Sequence, residues 1–181
     1  MDNRLGKASS AFGRPYSRAW NNKHLKKATK VSVYRAVVLT TLLYSSESWL
    51  TYRHHLRLLE RFHQCCLRSI FNNHWSDYIT NVEVLERAGI TSIKAMLMKT
   101  QLCWAAHVSR MEDHHLPKIA LYGKLSTGHR DRGAPKKRFK DYLKKSLSAC
   151  NIDPQLWSAL AADRGAWQHT IHQSTSRFEN I

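Results

Sequence analysis

Apolar side chains recur at three- and four-residue steps through the segment "YRHHLRLLERFHQCCLRSIF", residues 52–71. This spacing places one apolar stripe along an α-helix, because each helical turn takes 3.6 residues. Such a stripe must be buried against other elements, so it predicts one member of a helical bundle. The members of the stripe are Leu56, Leu59, Phe62, His63, Cys66 and Ile70.

The segment "ATKVSVYRAVVLTTLLYSSESW", residues 28–49, is rich in β-branched residues that would also suit a strand. No hairpin turn pairs it with a second strand, and its spacing matches a helical face, so it is predicted as a helix. Residues 93–111 repeat the helical stripe. The helical faces carry Val33, Val37 and Thr41 beside Tyr34, Val38 and Leu42 in the first segment, and Ile93, Leu97, Thr100, Trp104, Val108 and Met111 in the second.

Three further sites carry helix-boundary signals. Thr80 and Glu83 have the spacing of a capping box, and Gly89 suits the C-terminal stop of the same helix. In Asp153–Pro154 a capping carboxylate precedes a proline at the first helical position. Asp163 can cap the segment "RGAWQHTIHQ" in the same way.

The segment "LPKIALYGKLSTGHRDRGAPKK", residues 116–137, departs from helical spacing. It holds three of the seven glycines and two of the four prolines, which predicts a long loop, with a short strand as an option at "KIALYG". The sequence therefore predicts an all-α chain. Its helical bundle is followed by a helical extension with one long basic loop.

Charge is the feature that points to a partner. The chain has a formal net charge of +16, and no Asp or Glu occurs between Asp2 and Glu47. A solvated face normally mixes both signs of charge, so this excess predicts an anionic partner such as nucleic acid. The cations of this stretch that we predict to contact nucleic acid are Arg14, Arg18, Lys23, Lys26 and Lys27.

A second basic tract, "HRDRGAPKKRFKDYLKK", covers residues 129–145 and contains eight Lys or Arg against two Asp. It could be a solvated helix face, a nuclear import signal or a phosphate-contacting segment. The loop cations can follow a nucleic-acid backbone, and later cations recur on one side of a helix, which favours phosphate contact. The predicted contacts are Arg130, Arg132, Lys136, Lys137, Arg138, Lys140 and Lys144.

Six tryptophans raise the possibility of stacking on nucleic-acid bases. Trp49, Trp104 and Trp157 fall on apolar helical faces and are predicted to lie in the core. Trp20 stands in "SRAWNNKHLKK", among cations and amides, and is the one predicted to stack.

The motifs of an enzyme or a metal site are missing. The four cysteines form no Cys-x-x-Cys pair, and no phosphate-binding glycine loop occurs. His54–His55 and His114–His115 are adjacent, and adjacent residues of a helix point about 100° apart, so neither pair is predicted to chelate a metal. We therefore expect no catalytic residue, metal or cofactor.

The sequence has no secretion signal and no apolar segment long enough to span a membrane. We therefore expect an intracellular protein, nuclear or cytoplasmic, without a membrane partner.

Several motifs occur in an order that resembles a known family. "AFGRPYSRAWNNKHLKKATKVSVYRAVVLTTLLYSSESW", "LERFHQCCLRSI", "LCWAAHVSRM", "RGAPKKRFKD" and "LAADRGAWQHTIHQ" resemble the region downstream of the polymerase core in LINE-type (non-LTR) retrotransposon reverse transcriptases. The resemblance implies a thumb-like helical region at 1–75, connecting helices at 76–122, and a basic loop with C-terminal helices at 123–181. The family's polymerase aspartates and endonuclease would lie outside such a region.

The resemblance implies that the N-terminal cations lie along a template–primer duplex and that the basic loop contacts phosphates. Cys65, Cys103 and Gln168 stand where the family tends to have arginine, which suggests a relic copy of an element. The function we favour from the sequence is therefore a non-catalytic fragment that binds RNA or DNA through backbone phosphates. The alternatives are a helical module that binds a protein and a relic reading frame without a selected function.

Overall fold

The computed structural model describes residues 2–123 and 138–177. The all-α prediction is confirmed, because these residues form helices and no strand. None of the helices in these two ranges is both long and apolar enough to cross a membrane. The helices are α1 Asp2–Gly13, α2 Lys27–Val33, α3 Thr40–Leu42, α4 Arg53–Phe71, α5 Asn81–Ala88, α6 Ile93–Ser109, α7 Leu116–Tyr122, α8 Phe139–Ala149, α9 Trp157–Leu160 and α10 Arg164–Arg177.

The chain divides into two compact units. Unit 1 comprises Met1–Ser45 and Thr51–Met96, and unit 2 comprises Ser46–Leu50 and Leu97–Ile181. The three regions predicted at 1–75, 76–122 and 123–181 follow the order of the sequence motifs, whereas the two units are defined by how compactly their residues pack. The three regions therefore stay a prediction.

Helix α4 supplies the apolar stripe of unit 1, and α1, α2 and α5 pack against it. The predicted stripe is confirmed at its centre, because Leu59, His63, Cys66 and Ile70 are buried. Leu56 and Phe62, which are also part of the stripe, are half-buried. The burial of one continuous face explains why this segment is helical over five turns.

Residues 27–42 are helical throughout, which confirms helix over strand for this segment. A π-helical stretch, Tyr34–Leu39, joins α2 to α3. On the predicted face, Tyr34, Val38 and Leu42 are fully buried. Val37, which was predicted to share this face, is 42% exposed.

The boundary signals are confirmed at α5. The Thr80 backbone N–H donates to the Glu83 carboxylate at 2.8 Å, and the Glu83 backbone N–H donates to the Thr80 hydroxyl at 3.3 Å. Gly89 ends the helix in the left-handed region, with φ +56°. Such a φ favours glycine, because it lacks a Cβ.

The two later helix starts have different outcomes. Asp163 caps α10, because its Oδ1 accepts the backbone N–H groups of Gly165 and Ala166 at 2.8 and 3.1 Å. At Asp153–Pro154 the predicted capping carboxylate is confirmed, but the α-helix begins later than predicted. Asp153 Oδ1 accepts the Gln155 N–H at 2.8 Å and so closes a turn, and α9 begins only at Trp157.

Unit 2 has its own apolar core. Leu102, Ala105, Leu147, Trp167 and Ile171 are buried in it and come from α6, α8 and α10. Trp157 is also buried in this core, and Trp104 is partly buried against it, with its ring 5.3 Å from that of Phe139. Most predicted members of the 93–111 stripe are at least partly buried, but Thr100 is exposed. Trp49 is half-buried and follows the short helix Ser46–Ser48 instead of lying on an α-helical face.

Part of the predicted loop is helical. Residues Leu116–Tyr122 form α7, so the prediction of a loop or a short strand at "KIALYG" is wrong there. Pro117 lies in the first turn of α7, where proline is tolerated because those N–H groups have no helical acceptor. Leu121 turns inward and is buried. Residues 124–137 of the predicted basic loop lie outside the described residues.

A buried polar pair links α4 to the helical stretch before it. The Tyr34 hydroxyl lies 2.8 Å from His63 Nδ1, and both side chains are fully buried. Burial lowers the pKa of His63 to about 4 and raises the pKa of the Tyr34 phenol, so both groups are neutral near pH 7. The phenol therefore stays protonated, and its O–H can donate a hydrogen bond to Nδ1 of the imidazole.

This pair predicts that the protein loses stability in acid. The pKa of His63 lies below its ordinary value of 6.5 in the folded state, so the unfolded state binds an additional proton as the pH falls from about 6.5 to about 4. The His63 contribution to the free energy of unfolding is therefore present above pH 6.5 and falls by up to about 3 kcal/mol toward pH 4. Urea unfolding followed by circular dichroism between pH 7.5 and pH 4 measures this loss.

His63→Gln is the control, because glutamine can hydrogen-bond to Tyr34 without titrating. We expect the variant to be less stable at pH 7.5 by about 1–3 kcal/mol and less sensitive to acid. An equally steep acid loss in the variant would show that other groups cause it.

Candidate nucleic-acid interface

The N-terminal basic segment, residues 14–27, joins α1 to α2. All five of its predicted contact residues are exposed, and none forms a salt bridge with another described residue. Lys27 Nζ lies 5.7 Å from the centre of the Phe71 ring. The segment therefore presents uncompensated positive charge to solvent through Arg14, Arg18, Lys23, Lys26 and Lys27.

Trp20 holds this segment to unit 1. Its indole stacks on Phe12 at a ring distance of 5.0 Å, and its Nε1–H donates to the Phe12 carbonyl at 2.6 Å. The Phe12 ring in turn meets Tyr34 edge-on at 6.4 Å. Lys30 Nζ donates to the Trp20 carbonyl at 2.6 Å, and only 6% of Lys30 is exposed. The chain between the two helices is thus fixed by buried groups while its cations face outward.

The prediction that Trp20 stacks on nucleic-acid bases does not fit the structure. Only 2% of the residue is exposed, and its one polar atom is hydrogen-bonded inside the protein. The polar sequence around Trp20 reflects the exposure of its neighbours, while the indole itself turns inward. A different tryptophan of unit 1 is exposed: 87% of Trp75 is accessible to solvent.

The second basic tract is described only from residue 138 onward. The Arg138 guanidinium forms two hydrogen bonds with the Asp141 carboxylate, at 2.9 and 3.1 Å, and this contact raises the pKa of Arg138. Lys140 and Lys144 lie one turn apart on α8, with Lys140 Nζ 6.0 Å from the centre of the Tyr122 ring and Lys144 exposed. Arg130, Arg132, Lys136 and Lys137 lie outside the described residues, so their predicted contacts stay a prediction.

A row of three arginines on α4 was missed from the sequence. Arg53, Arg57 and Arg61 recur at four-residue steps, are exposed, and form no salt bridge with a described residue. The four-residue spacing in "RHHLRLLER" is the signal that could have identified them, because it places all three on one side of a helix. They add to the positive charge of unit 1.

Three other cations of unit 1 have structural roles. Lys30 donates to the Trp20 carbonyl, Arg35 donates to the Gly89 carbonyl, and Arg68 donates to the Ile79 carbonyl at 2.7 Å. Each side chain satisfies a backbone acceptor far along the chain. Nothing in the local sequence separates these cations from those that face solvent.

Among the residues that the structure describes, one group could hold a metal ion. Glu112, His114 and His115 are exposed, and their ligand atoms lie within 4.8 Å of one another. The helical spacing that argued against chelation by His114 and His115 does not apply, because both residues lie in the turn before α7. One carboxylate and two imidazoles are ligands that Zn²⁺ accepts. The absence of a metal stays a prediction.

The chain is similar to a transposon-derived protein of Caenorhabditis elegans, with 23% identity over 163 residues. The match covers 83% of this chain and 56% of the C. elegans protein, so the chain spans about half the length of that relative. No protein-family model and no solved structure matches the chain. The similarity supports a transposon-related origin.

The burial of Trp20 predicts that Trp20→Leu weakens the fold and, because the indole contacts no base, lowers nucleic-acid affinity only through a looser path of residues 14–27, by less than about tenfold. Leucine fills less of the cavity and cannot donate to the Phe12 carbonyl, so we expect a loss of about 2–4 kcal/mol in the free energy of unfolding. Urea unfolding measures stability, and fluorescence anisotropy with labelled RNA at low temperature measures affinity.

Trp75→Leu is the matched control, because the exposed Trp75 side chain can be replaced with little effect on stability. A stacked base contributes about 1–3 kcal/mol to binding, which is large enough to detect. A tenfold loss of affinity in a folded Trp20→Leu protein would contradict the buried role of Trp20.

Proposed function

We propose that this chain is a non-catalytic nucleic-acid-binding fragment of transposon origin, corresponding to the thumb and downstream extension of a LINE-type reverse transcriptase. It binds RNA or DNA through backbone phosphates and has little sequence preference. It uses no cofactor. Its similarity to a transposon-derived protein and its all-α fold are consistent with this function.

The observation that carries the proposal is the charge of the N-terminal basic segment. Its five cations are exposed without an acidic partner among the described residues, and no Asp or Glu occurs in the sequence between Asp2 and Glu47. A cation that already has a carboxylate partner gains little from a phosphate, whereas an unpaired one releases counterions from the nucleic acid on contact.

The anchoring of this segment supports the same function. Trp20 and Lys30 hold the backbone between α1 and α2, so the cations are presented from a fixed chain. Contacts to phosphates position a protein on nucleic acid without reading its sequence. Unit 2 carries cations of the second basic tract, Lys140 and Lys144, on α8.

The proposal predicts a steep salt dependence. If the five cations contact phosphates, the logarithm of the association constant should fall against the logarithm of salt concentration with a slope near −4 to −5 from this segment. Replacing Arg14, Arg18, Lys23 and Lys26 with glutamine should flatten the slope by about 3–4 units, for RNA and DNA alike. Fluorescence anisotropy at 50–250 mM salt measures the slope.

Two companion variants complete this experiment. Alanine at Lys136, Lys137, Arg138 and Lys140 should flatten the slope by roughly 3 units if the second tract also contacts phosphates. Glutamine at Arg87 and Lys99, two exposed cations outside both tracts, controls for net charge and should change the slope little. Equal slopes in all folded variants would exclude both tracts as the binding surface.

The proposal also predicts that the chain has no polymerase activity. Polymerases hold two metal ions with clustered carboxylates, and only Glu112 and Asp113 are adjacent among the 13 acidic residues. Primer extension on a primed RNA template with Mg²⁺ or Mn²⁺ should give no product above a heat-inactivated control. Product that persists through repurification would contradict the non-catalytic assignment.

Exposed aromatic side chains favour a second function, the binding of a protein partner. Trp75 and Tyr78 are 87% and 85% exposed beside the short helix Trp75–Asp77. Large aromatic residues at a surface are typical of protein interfaces. Stoichiometric binding of a protein, or self-association that does not depend on salt, would favour this function over nucleic-acid binding.

A further inference from the structure

A small basic pocket lies in unit 2, where α6 ends and α10 begins. Its volume is about 310 Å³. That is within the range of small-ligand sites in proteins. Its lining includes two guanidinium groups and one imidazole but no carboxylate. The lining residues are Cys103, His107, Arg110, Arg164, Trp167 and Gln168.

The pocket follows from the spacing of its residues. Cys103, His107 and Arg110 recur at steps of four and three, so they follow one side of α6 and its C-terminal end. On α10, Arg164, Trp167 and Gln168 recur at steps of three and one and occupy one side of the first turn. Two helical faces that carry cations thus line one cavity.

Two hydrogen bonds fix the walls of the pocket. The Trp167 Nε1–H donates to the Leu102 carbonyl at 3.3 Å, which ties α10 to α6. The Arg110 Nη1 donates to the Ala161 carbonyl at 2.5 Å. The second bond holds the Arg110 guanidinium in place and leaves its remaining N–H groups available to a ligand.

The positive charge of the pocket is not neutralised by its surroundings. Arg164 forms no salt bridge with a described residue. Asp163 adjoins it in the chain but does not line the pocket, and its Oδ1 accepts two backbone N–H groups of α10. Guanidinium groups pair with phosphate oxygens through parallel hydrogen bonds, and they do so most strongly where no carboxylate competes.

We propose that this pocket binds a phosphate monoester, with Arg110 and Arg164 contacting its oxygens and His107 and Gln168 donating further hydrogen bonds. The ligand is a nucleotide or the terminal phosphate of a nucleic acid, which share this group. The proposal goes beyond the binding of backbone phosphates by the basic segments, because it assigns a separate site for one terminal phosphate in unit 2.

Titration of the full chain with AMP, inorganic phosphate and adenosine tests the site by calorimetry. We expect AMP and inorganic phosphate to bind and adenosine not to bind. Arg164→Gln should weaken AMP binding at least tenfold, since Arg164 is exposed and replacing it should leave the fold intact. Lys145→Gln removes one exposed charge from α8 and should leave AMP binding unchanged. Binding of adenosine equal to that of AMP, or an unchanged affinity in Arg164→Gln, would overturn the proposal.

Protection of a cysteine provides a second measurement on the unaltered protein. Cys103 lines the pocket and is half-buried, whereas Cys65 is exposed on α4. We expect saturating AMP to slow maleimide labelling of Cys103 at least fivefold, as measured by peptide mass spectrometry, and to leave Cys65 unaffected. Labelling of Cys103 that AMP does not slow would contradict binding in the pocket.

A pair of oligonucleotides distinguishes the two sources of the phosphate. If the site receives a nucleic-acid end, a 5′-phosphorylated strand should protect Cys103 more than the same strand with a 5′-hydroxyl. If only AMP protects, the ligand is a free nucleotide. Failure of the N-terminal salt-slope experiment would leave these results unaffected, because neither AMP binding nor Cys103 protection requires residues 14–27.

Discussion

Like charges that lie close together repel one another, so a basic segment keeps a defined path only if something else fixes its backbone. In unit 1 that constraint is the burial of Trp20 against Phe12, together with hydrogen bonds at both ends of the residue. The indole donates to one carbonyl, and the Trp20 carbonyl accepts from the buried ammonium of Lys30. An ammonium is costly to bury without a hydrogen bond, so the contact between Lys30 and this carbonyl stabilises the observed path of residues 14–27.

The parts of the fold that could be predicted from the sequence are those set by periodicity and local capping. The α4 stripe, the helix over residues 27–42 and the Thr80 capping box depend on neighbours within one or two turns, and such signals are visible in a single sequence. The prediction at Thr100 was wrong because α6 is apolar on most of its surface, and a stripe on such a helix does not identify one buried side.

The parts that could not be predicted depend on partners distant in the chain. Trp20 was assigned to the surface from its polar neighbours, yet its environment is set by Phe12 and Lys30. Distant residues also determine whether a cation faces solvent or donates to a backbone carbonyl. Arg35 is an example, because its acceptor is the carbonyl of Gly89. The pocket in unit 2 is lined by both Cys103 and Gln168, which are far apart in the sequence. No local sequence pattern predicts that these two residues line the same cavity.

The π-helical stretch Tyr34–Leu39 means that this part of unit 1 contains one residue more than a regular helix would use. One residue corresponds to a rotation of about 100° around the helix axis. If the same residues formed a regular α-helix, the residues after the stretch would rotate by about this angle, and Leu42 would turn away from the core while Val31 kept its place. The irregular stretch therefore keeps the buried faces of the two halves of the helix in register, and a one-residue deletion that converted it to a regular α-helix would leave Leu42 facing the core.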